Sequence, residues 1–207
     1  MPVTVVGLAG SCRRGGNTET LLDWCLDAAR AEGAEVIKFR LVELDLHPCR
    51  GCGACSKTGA CIVDDDMSLL YPHLRTADSL VLASPVYAMG MPSLPKMVVD
   101  RCQPFWAMKY VRHEPLNPEE HMERLGAFLC CAGTTFKTVF DGSRLVMRYL
   151  WHVLDVNPAG DLLCPGVDAK GEIQHEASAR PVAEEIGRRL ALARDGADQE
   201  GGGVHGD

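Results

Sequence analysis

The sequence predicts an α/β fold, a three-layer sandwich around a five-stranded parallel sheet. Two observations support this. Short apolar, β-branched runs alternate five times with stretches of helical period, the pattern of parallel strands joined by right-handed crossovers. The loops richest in glycine, hydroxyl and thiol groups, 10–18, 46–63, 84–92 and 133–142, each follow a predicted strand. They therefore collect at the carboxyl edge of the sheet, where ligands of such sheets bind.

Val3–Leu8 is the first strand, a short run suited to burial on both faces. The loop after it holds Gly10, Ser11, Arg13, Arg14, Asn17 and Thr18. A helix follows with Leu21, Leu22, Cys25, Leu26 and Ala29 on one face and Gly33 just past its end. Glycines, hydroxyls, guanidinium groups and a helix start coincide here, which suits a terminal phosphate monoester. The loop matches neither G-x-G-x-x-G nor a Walker sequence. The alternative is a polar loop that only turns the chain.

Glu35–Leu44 reads as the second strand. Asp64, Asp65 and Asp66 read as the cap and solvated first turn of a helix bearing Met67, Leu70, Tyr71 and Leu74. Ser79–Ala83 is the third strand and Ser84–Pro92 its irregular exit. Ser93–Cys102 resumes as a helix with Leu94, Met97, Val98 and Arg101. Residues 103–123 read as an irregular segment, a lid or contact surface or a satellite core under a long loop. Leu125–Ala132 is the fourth strand, with Cys130 and Cys131 on opposite faces. Leu145, Val146, Tyr149, Leu150 and Val153 give the next helix its apolar face. Asn157–Cys164 contains a short fifth strand, and a last helix turns Val182, Ile186 and Leu190 inward. The predicted organisation is one domain over 1–195, with the cysteine loop 46–63 as an insertion and 196–207 as a disordered tail.

A chain of 207 residues with 46% apolar and 24% charged residues describes one globular domain with a full core. Its net charge of −7 and lack of a basic stripe argue against nucleic-acid or membrane partners. No apolar run reaches the length of a membrane span. Arg13 and Arg14 follow the apolar start instead of preceding it, which is the wrong order for a secretory signal. Ten cysteines, six of them single or paired within apolar runs, suggest a reduced, cytoplasmic protein.

The most specific stretch is Cys49-x2-Cys52-x2-Cys55-x5-Cys61, four thiols within thirteen residues with glycines between them. Such spacing suits a 4Fe–4S cluster and also tetrahedral zinc. Free, reactive thiols are a third reading, and a disulfide pair is weaker because close cysteines give strained bridges. His47 is the one further ligand candidate nearby, more simply read as a solvent-facing loop residue.

The opening G-S-x-R-x-x-G-N-T, the S-P-V-Y after the third strand and Lys96-x3-Asp100-Arg101 resemble the NAD(P)H-dependent FMN reductase branch of the flavodoxin-like flavoproteins. With the four cysteines added, the chain is similar to an iron–sulfur flavoprotein. The resemblance covers about residues 3–165 and implies strand order 2-1-3-4-5 with noncovalent FMN. It implies that Ser11, Arg13, Asn17 and Thr18 hold the FMN phosphate, that Pro85, Val86, Tyr87, Ala88 and Gly90 run beside the isoalloxazine, and that Gly133 and Thr134 belong to a second flavin-side loop. Cys49, Cys52, Cys55 and Cys61 match 4Fe–4S ligands, and a homodimer or homotetramer is implied. No protein acid, base or nucleophile stands out, and flavin-mediated transfer needs none.

The function expected is an FMN-binding oxidoreductase or electron-transfer protein whose 4Fe–4S cluster exchanges electrons with FMN. NAD(P)H is the candidate donor, and a small molecule or protein the redox partner. The alternatives are a simple FMN or quinone reductase without a cluster and a zinc-stabilised flavodoxin-like binding module.

Overall fold

The computed structural model describes residues 1–116 and 123–193. Five strands, β1 (Thr4–Ala9), β2 (Glu35–Arg40), β3 (Ser79–Pro85), β4 (Leu125–Ala132) and β5 (Asn157–Pro165), form one parallel sheet in the order β2-β1-β3-β4-β5. This is the expected order. The chain reverses its direction of travel across the sheet at β1 and β3, so a crevice opens beyond their carboxyl ends.

Helices cover both faces. α1 (Asn17–Ala31) and α7 (Ala179–Leu190) pack on one. α3 (Met67–Thr76), α4 (Ser93–Asp100), α5 (Gln103–Ala107) and α6 (Asp141–Val153) pack on the other. A short helix, α2 (Ala54–Thr58), lies within the cysteine loop.

Strand alternation divides the core into two apolar clusters. Val6, Leu8, Phe128 and Cys130 face α3–α6, while Val5, Ala9, Leu129 and Cys131 face α1 and α7. All eight residues of β4 are buried, as a central strand covered on both sides requires. Cys130 and Cys131 thus point into opposite layers, as their adjacency in a strand dictates.

α1 and α7 approach so closely that a Cβ on Gly187 would stand 2.0 Å from the Cys25 carbonyl oxygen. Only a glycine fits there. At the amino edge of the sheet, the buried Arg124 donates to the carbonyls of Leu74, Ala77 and Leu154 at 2.6–2.8 Å. It ties the ends of α3 and α6 to β4, and burial pushes its pKa down to about 10.

Several expectations need correction. Segment 103–123 is not irregular throughout: Gln103–Ala107 is helical and Met108–Arg112 a π-helical turn. Pro104 occupies the first turn, where its missing N–H costs nothing, and Phe105 and Ala107 are buried. Residues 117–122 of that segment, and the tail 196–207, lie outside the described residues.

β2 ends at Arg40 and continues as a 3₁₀ turn, Leu41–Glu43. α6 is rotated from the expected face, with Ser143, Met147, Leu150, Trp151 and Val153 buried and Leu145 and Tyr149 exposed. In α7 Val182 faces outward, and Ala183, Ile186 and Leu190 face inward. Both misreadings treat every apolar side chain as core, a rule that holds in one direction only.

Among the described residues no helix is long and apolar enough to cross a membrane.

Candidate functional site

The loop between β1 and α1 is closed from within. Gly10 N–H donates to the Ala83 carbonyl at 2.8 Å, and a Cβ there would meet that same oxygen at 2.9 Å. Arg13 N–H donates to Ser11 Oγ at 3.1 Å, and Gly16 N–H to the Arg13 carbonyl at 3.1 Å.

The buried carboxylate of Glu19, in the first turn of α1, reaches back to accept Gly15 N–H at 2.7 Å. Its other oxygen accepts from Lys38 Nζ at 2.9 Å and Arg40 Nε at 2.8 Å, both on β2. Burial alone would raise the Glu19 pKa, but these cations and the amide hold it below the ordinary range. Arg14 turns away from the loop interior and pairs with Glu43, which also binds Arg40.

At the mouth of this loop lies a small cavity of about 50 Å³. Eight of the flavin-contact candidates line it: Ser11, Arg13, Asn17, Thr18, Pro85, Val86, Tyr87 and Gly133. The volume suits a phosphate group, far below the roughly 300–1,000 Å³ of a whole ligand pocket. Gly16, Cys131, Val167 and Asp168 line it too, and sequence reasoning missed them. Val167 and Asp168 come from the exit of β5, which has no glycine–hydroxyl pattern to mark it. Its position after a strand at the same edge was the usable signal.

The Asn17 side chain is already committed. Its Nδ2 donates to the Ala169 carbonyl at 2.8 Å, and its Oδ1 accepts Gly171 N–H at 2.9 Å. It braces the loop after β5 against the start of α1. Arg13 Nη1 donates to the Asp168 carbonyl at 2.9 Å while its side chain stays half-exposed.

Ala88, Gly90 and Thr134 do not line the cavity. Tyr87 and Gly90 exchange backbone hydrogen bonds of 2.9 and 3.0 Å, and Ala88 and Met89 form the turn at φ 46° and 66°. Two consecutive non-glycine residues at positive φ are uncommon outside tight hairpin turns. The Thr134 carbonyl accepts Gly166 N–H at 3.2 Å, tying the β4 and β5 exits together.

Cys49, Cys52, Cys55 and Cys61 all line a second cavity, of about 430 Å³. Cys49 and Cys52 are exposed, and Cys55 and Cys61 half-buried. Cys55 sits in α2 between Gly53 and Gly59, whose φ values of 69° and 77° let the chain turn sharply at both helix ends. Burial pushes the Cys55 thiol up, and the neighbouring Cys61 and Cys49 push it further. Arg50 and Arg101 share the wall. Four thiols line one cavity with cations beside them, the donor type that a thiolate-held cluster uses. Among the described residues no three His, Cys, Asp or Glu form a group able to hold one metal ion.

Asp65 departs from the solvated helix start expected for residues 64–66. Its side chain is wholly buried and bonds Arg101 at both oxygens, Nη1 at 2.6 Å and Nη2 at 2.9 Å. It also accepts His47 N–H at 2.9 Å and Met67 N–H at 3.1 Å. Arg101 Nη1 reaches the His47 carbonyl at 2.8 Å. One buried pair therefore fastens both ends of the cysteine loop. Lys96 and Asp100 form a separate exposed pair at 2.6 Å, one turn apart on α4. Tyr71 O–H donates to the Arg101 carbonyl at 2.9 Å and lies beside Cys61; burial, with Cys61 adding, pushes that phenol up.

The model of the NADPH-dependent FMN reductase family matches residues 3–146. The chain belongs to that family. An iron–sulfur flavoprotein of Methanosarcina thermophila is 35% identical over 97 residues, 47% of this chain and 51% of that protein. One of Methanocaldococcus jannaschii is 38% identical over 100 residues, covering 48% and 52%. The chain spans about half the length of the curated relatives it matches. Among solved structures, a flavone reductase aligns with a TM-score of 0.69 at 18% identity, over 94% of this chain and 64% of that one. The NAD(P)H:quinone oxidoreductase of Methanothermobacter marburgensis aligns at 0.66 and 15%, over 92% and 98%. These likenesses show the flavodoxin-like fold of the FMN reductase family.

Proposed function

We propose that the protein is an FMN-dependent oxidoreductase whose cysteine loop carries a 4Fe–4S cluster that exchanges electrons with FMN. NAD(P)H is the candidate donor. The observation that carries this reading is the presence of two cavities, one phosphate-sized beside the start of α1 and one in the loop after β2 lined by four thiols. Membership of the FMN reductase family and the names of the partial relatives support it.

Bound FMN would supply hydride and single-electron transfer, and a cluster single-electron transfer. Ser11, Thr18 and the first amides of α1 would hold the phosphate, with Arg13 adding charge. Asn17 acts indirectly by fixing the loop after β5. The Tyr87–Gly90 turn, with Pro85 and Val86 before it, would flank the ring.

Tyr87, Met89, Phe136, Leu145 and Tyr149 are exposed apolar side chains, and the 87–90 turn rests on the start of α6. Their exposure supports a homodimer or homotetramer that covers this surface. The unpaired cysteines suit a reducing compartment such as the cytoplasm.

The test is an absorption spectrum of anaerobically purified protein, with iron, sulfide, zinc and released flavin measured on the same sample. Flavin with about four irons per chain is the expected result. Flavin without metal would make the protein a simple reductase. Zinc without flavin would overturn the redox reading and leave a binding module.

A further inference from the structure

We propose that the buried Arg101–Asp65 pair sets the reduction potential of a cluster in the cysteine cavity, with Arg101 Nε–H as the donor left for a cluster or thiolate sulfur. This inference rests on the cluster reading above and assigns the residues that tune it.

Arg101 is 1% exposed and is among the residues lining the cavity that the four cysteines line. Its two terminal nitrogens are used, by both Asp65 oxygens and by the His47 carbonyl. Its Nε has no hydrogen-bond partner among the described residues. Buried N–H groups are almost always paired, so one that is not calls for an explanation. A purely structural clamp accounts for the terminal nitrogens and leaves Nε idle. The Tyr71 hydroxyl also lies against the guanidinium, and a sulfur atom seated in this wall would give Nε an acceptor. Cys61 stands beside the Tyr71 hydroxyl, which itself donates to the Arg101 carbonyl, so the same arginine is joined to the ligand side of the cavity through a second residue.

The charge argument has a definite sign. One-electron reduction adds a negative charge to a cluster. A guanidinium held against it in a low-dielectric wall stabilises the reduced form and raises the potential. The Asp65 carboxylate, held just behind, opposes that effect. Removing either member therefore shifts the potential in opposite directions, whereas mere loosening of the loop would shift both variants the same way.

The experiment is an anaerobic redox titration, followed by absorbance and electron paramagnetic resonance, on the holoprotein and its R101M, R101K and D65N variants. R101M is expected to lower the potential, on the order of tenfold in the reduction equilibrium or about 59 mV for one electron. D65N is expected to raise it. R101K keeps a charge without the Nε–H and should fall between R101M and the unmodified protein. Shifts of one sign in R101M and D65N, or no shift in either, overturn the proposal while leaving the cluster in place. If R101M fails to keep a cluster, D65N decides alone: a rise supports the proposal, and a fall or no change overturns it. Absence of iron and sulfide from the unmodified protein overturns this inference and the cluster reading together.

Discussion

Replacing Glu19 with Gln tests how the phosphate loop is held. The carboxylate makes three short contacts, to Gly15 N–H, Lys38 and Arg40, from a side chain only 7% exposed. Breaking a fully buried pair costs about 3–5 kcal/mol because the partner charge is stranded. Here neither cation is stranded, since Lys38 keeps Asp23 at 2.6 Å and Arg40 keeps Glu43. The loss should be smaller, about 2–3 kcal/mol, or a fall in Tm of about 4–12 °C at this chain length.

The effect depends on pH. The folded pKa of Glu19 lies below its unfolded value. Its contribution is thus fully present above the unfolded pKa, about 4.3, and fades as pH falls through the folded value. Urea unfolding of the two proteins at pH 7 and at pH 4 measures both parts. The gap should be widest at pH 7 and narrower at pH 4. A gap below about 0.5 kcal/mol at pH 7, the range of ordinary surface changes, would refute the reasoning.

Arg13→Ala should weaken FMN retention about tenfold, the low end for a hydrogen bond to a charged group because Arg13 is half-exposed; unaltered flavin affinity by fluorescence would remove Arg13 from the phosphate site. Cys52→Ser should abolish the broad iron–sulfur absorption while keeping the flavin bands, and an unchanged spectrum would sink the cluster reading. Gly187→Ala should cost about 1–3 kcal/mol, lowering Tm by about 2–12 °C, because the new methyl collides with the Cys25 carbonyl. An unchanged Tm would mean that α7 lifts from α1 without penalty.

The layer order and the inward face of α1 were legible because parallel strands buried on both sides read as unbroken apolar runs. The phosphate loop was legible because its glycines, hydroxyls and helix start are contiguous. Features made by distant partners were not. Asp65 looked like part of a solvated acidic run, and only folding brings Arg101, on the far side of β3, against it. Asp168 carries no local pattern, and it reaches the phosphate cavity because β5 ends beside β4. The orientation of α6 was misread since Leu145 and Tyr149 share its period with true core residues, and period alone does not say which stripe is covered. Asn17 lies where expected, but its amide is taken up by the 169–173 segment. Its role in the fold is visible only in three dimensions.

The adjacency of Cys130 and Cys131 makes the protein its own reporter of partial unfolding. The two thiols are neighbours in one strand but sealed under different helical layers, Cys130 beneath α3–α6 and Cys131 beneath α1 and α7. Burial holds the Cys130 thiol in its unreactive form, while the Cys131 thiol is held so first by its contact with Cys164 on β5 and then by burial. Cys130 becomes modifiable only when its own roof opens, whereas Cys131 also borders the phosphate-sized cavity and can be reached from that side once the cavity widens. Labelling of Cys130 would therefore report detachment of the α3–α6 layer, and labelling of Cys131 the opening of either the α1/α7 layer or the cavity mouth, within a single peptide and without introducing any foreign probe.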